Sequence, residues 1–258
     1  MGNQKQISDF TVQRNMPLGD DFVRLYLQTD RPLPAIFPGQ FVQIHIPSSV
    51  YGWLRIPISI HDADPAAGCI TLLVQKVGKG SEYLASLQAG DTLNMVLPLG
   101  KGFTVPTVVN RALLVGGGCG VAPLYFLASC LNAAGLPFDI LIGARNQKRL
   151  VLANELAQLG PTGICTEDGS VGIKGLVTGH PLWEGVVYSH VYTCGPTPMM
   201  KAVAEKARGQ KAVCEVSLEN TMACGLGACL CCVTPSAEGH NLCVCTEGPV
   251  FNADILGW

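Results

Sequence analysis

The chain has 258 residues, of which 48% are hydrophobic and only 14% are charged, and its formal net charge is −2. This length allows two modest domains and an additional segment. The lysines and arginines form no cluster along the sequence, so the electrostatic footprint of a nucleic-acid-binding protein is missing. The low charge content favours a surface that is partly covered by a bound group or by another chain.

The N-terminal sequence MGNQKQISDF lacks the apolar segment of a signal peptide, so we expect a cytoplasmic protein. One uncharged stretch, residues 112–138, has the length of a membrane span. Glycines and prolines such as Gly116, Pro123 and Pro137 interrupt this stretch, and lipid cannot satisfy the backbone groups that such breaks expose. We therefore expect a strand, a turn and a helix there, and no membrane segment.

The first part of the chain is rich in β-forming runs. FVRLYLQT, QFVQIHI and CITLLVQKV alternate partly between apolar and polar residues, and turn signals such as FPGQ and VGKG lie between them. RIPISI reads as a further strand with a proline inside it. These runs predict an antiparallel barrel or sandwich domain over residues 1–105.

The pattern changes at Arg111. ALLVGGG is followed by the helical segment APLYFLASCLNAAG and the strand FDILIGA, and VVYSHVYTC later precedes the helical PMMKAVAEKA. Apolar strands that alternate with helices predict an α/β domain with a parallel sheet, over residues 106–212. The last part, residues 213–258, is short, loop-rich and rich in cysteine.

A glycine-rich turn lies between strand and helix in LLVGGGCGVAPLYFL. Backbone N–H groups at such a helix start form an anion site, suited to a dinucleotide pyrophosphate. The pattern is GxGxxP and not the Rossmann GxGxxG, so taken alone it fits a structural turn equally well. A second glycine–proline break, CGP, follows a later strand, and both breaks would lie at carboxyl ends of parallel strands, where α/β sheets bind ligands. The residues predicted at this nucleotide site are Gly117, Gly118, Gly120, Val121, Ala122, Pro123, Cys194, Gly195 and Pro196.

Two acidic residues follow in the same predicted domain. Glu167 and Asp168, in TEDGS, are able to accept hydrogen bonds from a nucleotide ribose. A solvated turn accounts for them equally well.

Six of the twelve cysteines crowd residues 224–245. In a reducing compartment they are not expected to form a disulfide framework. One subset has the spacing C-x4-C-x2-C with a fourth cysteine twelve residues later, which is typical of a plant-type 2Fe–2S cluster. The predicted ligands are Cys224, Cys229, Cys232 and Cys245.

Two more hypotheses account for these cysteines. A zinc site built from Cys229, Cys232, Cys243 and Cys245 is compatible with the spacing. A thiol-redox loop or plain packing is the other hypothesis. In the iron–sulfur hypothesis Cys231 and Cys243 have no ligand role, and His240 is a solvated loop residue.

Eight segments in this order resemble the ferredoxin-reductase superfamily and, within it, the electron-transfer subunits of class B dihydroorotate dehydrogenase. They are FPGQF, RIPISI, GDTLNMVLPLGKGF, GGGCGVAPLY, TEDGSVGIKGLVT, CGPTPMM, SLENTMACGLGAC and VCTEGPVF. The resemblance implies three units: an FAD-binding antiparallel barrel, an NAD-binding α/β domain and a small C-terminal 2Fe–2S segment.

The resemblance also implies the residues that contact FAD. The family's R-x-[YI]-S element aligns with Ile56, Pro57, Ile58 and Ser59, which places Ser59 near the reactive ring nitrogen of the flavin. The arginine of the element, a pyrophosphate ligand in the family, stands one position early here, at Arg55. Leu73, Val74 and Gln75 match the strand beside the flavin, and Gly80 and Ser81 match the turn that contacts the FAD phosphates. Thr221 occupies a position where the family commonly has arginine.

The implied activity is electron transfer among NAD(H), FAD and the cluster, with NADH favoured and no acid–base side chain required. The chain has no room for a dihydroorotate-binding barrel of about 250 residues. The resemblance therefore implies an FMN-containing catalytic subunit as partner, in an α2β2 heterotetramer serving pyrimidine biosynthesis. Two alternatives remain: a reductase subunit of the same superfamily that serves ferredoxin, sulfide chemistry or an electron-bifurcating complex, and a non-enzymatic zinc-binding module.

Overall fold

The computed structural model describes residues 5–258, apart from the side chain of Tyr51. Two β-structures dominate it. The strands of the first are β1 (Gln6–Leu18), β2 (Phe22–Gln28), β3 (Phe41–Ile44), β4 (Ile56–Asp64), β5 (Cys69–Gln75) and β6 (Thr92–Leu99). They close into a barrel in the order β1-β2-β5-β4-β3-β6, with antiparallel neighbours throughout. Two short helices, α1 (Ser48–Tyr51) and α2 (Lys79–Ser86), lie in the barrel connections.

The predicted antiparallel barrel is thus confirmed, but the sequence pattern does not single out β1. Phe10 and Val12 of this strand point into the barrel core, whereas most residues around them are polar and exposed. Its hydrophobic signal is therefore weak although its pairing with β2 and β6 closes the barrel.

The second β-structure is a seven-stranded sheet flanked by helices. The remaining strands are β7 (Ala112–Gly117), β8 (Phe138–Ala144), β9 (Thr162–Thr166), β10 (Ile173–Lys174), β11 (His190–Cys194), β12 (Val213–Ser217), β13 (Val233–Pro235), β14 (Asn241–Cys243) and β15 (Val250–Asn252). The remaining helices are α3 (Val121–Ala133), α4 (Ala153–Leu159), α5 (Leu182–Gly185) and α6 (Thr197–Gly209). The sheet order is β10-β9-β8-β7-β11-β12-β15, and only β12 and β15 are antiparallel neighbours. The predicted parallel α/β unit is confirmed.

Side chains of successive residues in the central strands are buried on opposite faces of the sheet, because strand side chains point alternately to the two faces. In β7, Leu114 joins the core under α3, whereas Leu113 and Val115 join the core under α6. Buried on both faces, these strands read as the continuous apolar runs seen in the sequence. No described helix, within residues 5–258, is both long and apolar enough to cross a membrane.

The C-terminal segment is built into the sheet. β12 and β15 pair with each other, and the cysteine-rich chain between them includes the separate ribbon of β13 and β14. The predicted boundary between residues 212 and 213 falls immediately before β12, so this segment supplies two strands to the neighbouring unit. The division into three units stays a prediction.

The segment also touches the barrel directly. A Cβ atom at Gly100, just after β6, would lie 2.5 Å from Pro249 Cδ and 2.6 Å from the carbonyl oxygen of Gly248. The φ angle of Gly100, +74°, independently favours glycine there. The barrel and the C-terminal segment therefore pack too closely at Gly100 to leave room for a side chain.

A buried carboxylate ties together the amino ends of the central strands. Asp139 in β8 is 2% exposed; it receives bonds from Arg111 Nε at 2.5 Å and Arg111 Nη2 at 2.7 Å, and from the Tyr188 hydroxyl at 3.0 Å. The bidentate geometry and the hydroxyl compensate for burying the charge.

We expect Asp139→Asn to lower the free energy of unfolding by about 2 kcal/mol, because one charge-assisted bond to Arg111 is lost and a neutral amide replaces the carboxylate. Thermal unfolding of the purified protein should show a Tm lower by about 5 °C. The control is Arg208→Gln, which breaks an exposed pair with Asp254 (side chains 61% and 73% exposed) and should change Tm by about 1 °C or less. Equal effects of the two variants would contradict this role of Asp139.

Candidate cofactor site and cysteine centre

A cavity of about 700 Å³ opens at the carboxyl ends of the parallel strands. Residues 117–120 after β7 and residues 195–200 after β11 form two of its walls. These two segments are in close contact: a Cβ atom at Gly117 would lie 2.6 Å from Met199 Sδ, and one at Gly120 would overlap the backbone of Cys194. Both turns therefore need glycine because the opposite turn occupies the side-chain space. The structure brings together the two glycine breaks that the sequence pairs.

The predicted nucleotide residues divide into two groups. Gly117, Gly118, Gly120, Gly195 and Pro196 line the cavity. The next three residues of the turn, Val121, Ala122 and Pro123, are buried in the first turn of α3, and no side chain caps that helix start. Cys194 is 8% exposed and belongs to the core under α3.

The two acidic candidates differ in the structure. Glu167 is exposed and lines the cavity. The carboxylate of Asp168 accepts bonds from the backbone N–H of Ser170 at 2.9 Å and from its hydroxyl at 2.7 Å. These bonds lower the pKa of Asp168 and account for it as a turn residue.

Further charged residues of the cavity have no signal in the sequence pattern. Arg145 and Arg149 line it, and Arg149 also pairs with Asp21 at 3.1 Å. Glu219 reaches it from the C-terminal segment. Desolvation, with the Glu219 carboxylate adding to it, raises the pKa of Cys119 to about 12 and that of Cys194 as well. Both thiols stay protonated at neutral pH.

The outer face of β4 carries two of the predicted FAD residues. Phe41 pairs with Ser59 and Gln43 with Pro57, and residues paired directly across an antiparallel sheet share a face. Phe41 packs outside the barrel, in the core under α6, so Pro57 and Ser59 also face outward. Ile56 and Ile58 pack against the barrel interior.

Arg55 is engaged by the protein. Its guanidinium donates to the Asn94 side chain at 2.6 Å and to the backbone carbonyls of Asn94 at 3.0 Å and Gln43 at 3.3 Å. The displaced arginine thus joins β3 to β6.

The other predicted FAD residues lie where β5 meets α2. Leu73 packs against the α/β unit and Val74 inside the barrel, whereas Gln75 lines the cavity. Gly80 is buried in the first turn of α2. The Ser81 hydroxyl accepts from the N–H groups of Val77 at 2.9 Å and Gly78 at 3.1 Å and donates to the Gly78 carbonyl, so it caps the helix.

The sequence pattern also does not reveal His61, which lies on β4 against α3. Its Nδ1 is 3.1 Å from the Ala122 carbonyl oxygen and therefore carries the proton of that bond. Burial lowers the pKa of His61 to about 4, so the ring is neutral at physiological pH. A single histidine in a strand has no spacing signal that would predict this contact.

Three buried thiols form a group. The sulfur atoms of Cys232, Cys243 and Cys245 all lie within 4.8 Å of one another, with 3.8 Å between the first two and 3.6 Å between the last two. Cys229 is exposed, and Cys224 is partly buried in the same loop. The structure thus brings two predicted cluster ligands together with Cys243, which the iron–sulfur hypothesis leaves without a role.

Backbone amides point at three of the four predicted cluster ligands. Cys224 Sγ accepts from the N–H groups of Leu226 at 3.3 Å and Cys229 at 3.4 Å. Cys245 Sγ accepts from Gly227 N at 3.2 Å, and Cys232 Sγ from Cys245 N at 3.3 Å. The two amides on Cys224 lower its pKa to about 6, whereas burial raises the pKa of Cys245. A set of thiols with amide donors on their sulfurs fits an iron–sulfur cluster.

Comparison with known proteins agrees with this geometry. Residues 219–257 match the family described as the iron–sulfur cluster binding domain of dihydroorotate dehydrogenase B. The electron transfer subunit of dihydroorotate dehydrogenase B (NAD(+)) from Fusobacterium nucleatum is 36% identical over 255 residues, 96% of this chain and 97% of the relative. The subunit of that name from Bacillus caldolyticus is 39% identical over 220 residues, 84% of this chain and 85% of the relative.

Solved structures show the same fold. A chain of an NADH-dependent reduced ferredoxin–NADP oxidoreductase, described for flavin-based electron bifurcation, superposes with a TM-score of 0.87 at 29% identity, covering 100% of this chain and 92% of that one. The ferredoxin reductase of carbazole 1,9a-dioxygenase superposes with a TM-score of 0.70 at 20% identity, covering 82% of this chain and 68% of its own. Because these relatives match the chain over most of their length and residues 219–257 match the iron–sulfur domain, the chain belongs to the electron-transfer subunits of dihydroorotate dehydrogenase B.

Proposed function

We propose that this subunit holds FAD and a 2Fe–2S cluster and exchanges electrons between NAD(H) and an FMN-containing catalytic subunit that oxidises dihydroorotate in pyrimidine biosynthesis. The observation that carries the proposal is a shared core. The buried cysteines pack there with Phe41 and Leu99 of the barrel and with Met200 behind the nucleotide cavity. The cysteine centre, the outer face of the barrel at β3 and β6, and the wall of the cavity therefore share one core, as electron transfer between bound groups requires.

When bound, FAD would interconvert the single electrons that an iron–sulfur cluster carries and the two electrons of a nicotinamide hydride, so that electrons from dihydroorotate leave as NADH. The residues of this chain bind and orient. We assign the nucleotide to the cavity, with its phosphates at the 117–120 turn and its nicotinamide at residues 194–196. Ser59 and Pro57 face outward on β4, where the resemblance places the flavin ring. Protonated thiols at Cys119 and Cys194 add no charge to the cavity.

The FAD phosphates are assigned to the start of α2. Arg55 is already bonded to Asn94 and to strand backbone, and the Ser81 hydroxyl caps the helix. Backbone N–H groups around Gly80 are then the donors that serve the phosphates. Leu73 and Val74 of β5 are buried and hold the strand that we place beside the flavin. Gln75 is the residue of these three that lines the cavity.

We assign the cluster ligands as Cys224, Cys229, Cys232 and Cys245. Amide donors on three of these sulfurs support the assignment, as does the lowered pKa of Cys224, because a thiolate is the ligating form. The alternative zinc set replaces Cys224 with Cys243. Two observations favour it: the sulfur group of Cys232, Cys243 and Cys245, and the lowered pKa of Cys243.

Paired variants separate the two ligand sets. Cys224→Ser should reduce iron and acid-labile sulfide from about two per chain to less than half of that, because the cluster loses a ligand. Cys243→Ser should retain both and the cluster's electron paramagnetic resonance (EPR) signal. Cys231→Ser, at an exposed thiol outside both sets, is the matched control. The reverse result, with metal lost from Cys243→Ser and kept in Cys224→Ser, would identify a zinc site.

The nucleotide assignment predicts a difference between the two acidic neighbours. Glu167→Gln should raise KM for NADH about three- to tenfold, because a charged acceptor for the ribose is lost. The preference for NADH over NADPH should become smaller for the same reason. Reduction of an artificial dye by NADH measures this without a partner subunit. Asp168→Asn, at the turn residue bonded to Ser170, should leave KM within about twofold. A larger effect at Asp168 would contradict the assignment.

The whole proposal is tested with the partner. An electron-transfer subunit works with a catalytic subunit, and we propose that this one binds FMN and assembles with the chain as α2β2. Adding purified chain to such a subunit should make orotate formation depend on NAD, and native mass spectrometry should show two copies of each. An orotate rate with NAD that the chain leaves unchanged would refute the proposal. We propose the cytoplasm as the compartment, because all twelve cysteines are unpaired.

One observation favours a second function. The bifurcating oxidoreductase chain has a higher structural similarity than the carbazole dioxygenase reductase and covers this chain completely. A reductase subunit that serves ferredoxin or a bifurcating complex would reduce ferredoxin from NADH and give no NAD-dependent orotate formation with the catalytic subunit. Ferredoxin reduction and orotate formation, measured in parallel, separate the functions.

A further inference from the structure

The side chain of Gln43 lies between the outer face of the barrel and the cysteine loop, and its carboxamide has no hydrogen-bond partner among the described residues. It lies on β3, where it pairs with Pro57 of β4 and Val96 of β6. Because it shares a face with Pro57, its side chain points out of the barrel. The residue is nevertheless 0% exposed. Something outside the barrel therefore covers it.

The covering segment is the loop that contains Cys224 and Cys229. Gly225 has a φ angle of +66°, and a Cβ atom there would lie 2.9 Å from Gln43 Cγ and 3.0 Å from Gln43 Nε2. Gly225 directly follows Cys224, whose sulfur accepts the amides of the same loop. The carboxamide of Gln43 therefore lies against the loop to which we assign the cluster.

Neither polar atom of this carboxamide has a hydrogen-bond partner. Buried amides are nearly always paired, because an unpaired buried donor loses its hydration without compensation. Gln40, three residues earlier on the same chain segment, shows the usual arrangement. Its Oε1 accepts from Phe37 N at 2.8 Å and its Nε2 donates to the Gly100 carbonyl at 2.9 Å.

We propose that Nε2 of Gln43 donates a hydrogen bond to a sulfur of the 2Fe–2S cluster and raises the reduction potential of that cluster. The inference rests on the proposed function, since it requires the cluster. Reduction adds one negative charge to the cluster, so a donor to its sulfur stabilises the reduced form more than the oxidised form. Gln43 also pairs with Pro57 of β4, the strand to which we assign the flavin ring. The residue that tunes the cluster potential therefore lies between the proposed flavin site and the cluster.

The test is an EPR-monitored redox titration of the purified, cluster-loaded protein with dithionite, in the presence of mediators. Gln43→Leu removes the donor and keeps the volume. At a fixed ambient potential, its ratio of reduced to oxidised cluster should fall about tenfold, which is about 59 mV for one electron. Gln43→Glu keeps the shape of the side chain but replaces the donor with an acceptor, so the cluster potential of this variant should fall at least as far. It serves as the test if the leucine variant does not fold.

Gln40→Leu is the matched control. It deletes a buried amide that bonds to the backbone of Phe37 and Gly100, so it should lower Tm and leave the cluster potential unchanged. An unchanged potential in a folded, cluster-loaded Gln43 variant would overturn the inference. A shift of the flavin potential with no shift of the cluster would also overturn it, since the amide would then serve the flavin. Wild-type protein without any cluster signal would instead refute the proposed function.

Discussion

The pairing of β15 with β12 is the constraint on which the rest of this structure depends. Val216 pairs with Phe251 and Ser217 with Val250, so the chain leaves the sheet after β12 and returns to the same edge about thirty residues later. The chain between these strands contains the cysteine loop and the ribbon of β13 and β14, and Gly225 of the loop packs against Gln43 of the barrel. A second tight contact joins Gly100, just after β6, to Gly248 and Pro249.

This arrangement explains how a small loop-rich segment orders so many thiols. A segment of this size has little core of its own. Here Leu242, Val244 and Phe251 join the hydrophobic core of the α/β unit, and Cys232, Cys243 and Cys245 lie in the same core. The loop amides then donate to the sulfur atoms. The Glu247 carboxylate accepts from the backbone N–H of Cys243 at 2.6 Å.

The same packing gives the cysteines different pKa values. Cys119 in the cavity wall and Cys194 in the core under α3 are desolvated, and the Glu219 carboxylate adds to this effect, which keeps both thiols neutral. Two amides lower the pKa of Cys224, which is partly buried, and the pKa of Cys243 is lowered too, chiefly by a hydrogen bond from Thr246. Glu219 begins the iron–sulfur domain and also lines the cavity, so one short segment contributes to both environments.

The amino-acid sequence by itself determined the classes of structure: the antiparallel barrel, the parallel sheet, the glycine turns and the cysteine spacing. Each depends on local periodicity, such as the apolar run of β7, or on a backbone conformation that few residues other than glycine adopt, such as the φ of +57° at Gly118. The strand β1 is not predictable for the same reason, because only Phe10 and Val12 mark its buried face.

Only the tertiary structure decided which side chains meet. The contact of Gln43 with Gly225, the bonds of Arg55 to Asn94 and the grouping of Cys243 with Cys232 all join residues distant in sequence. No local pattern encodes these contacts, since each depends on how the barrel, the sheet and the C-terminal segment pack. Glu167 and Asp168 show the limit most simply: the two are adjacent and chemically alike, and only the direction of the turn sends one to the cavity and the other to Ser170.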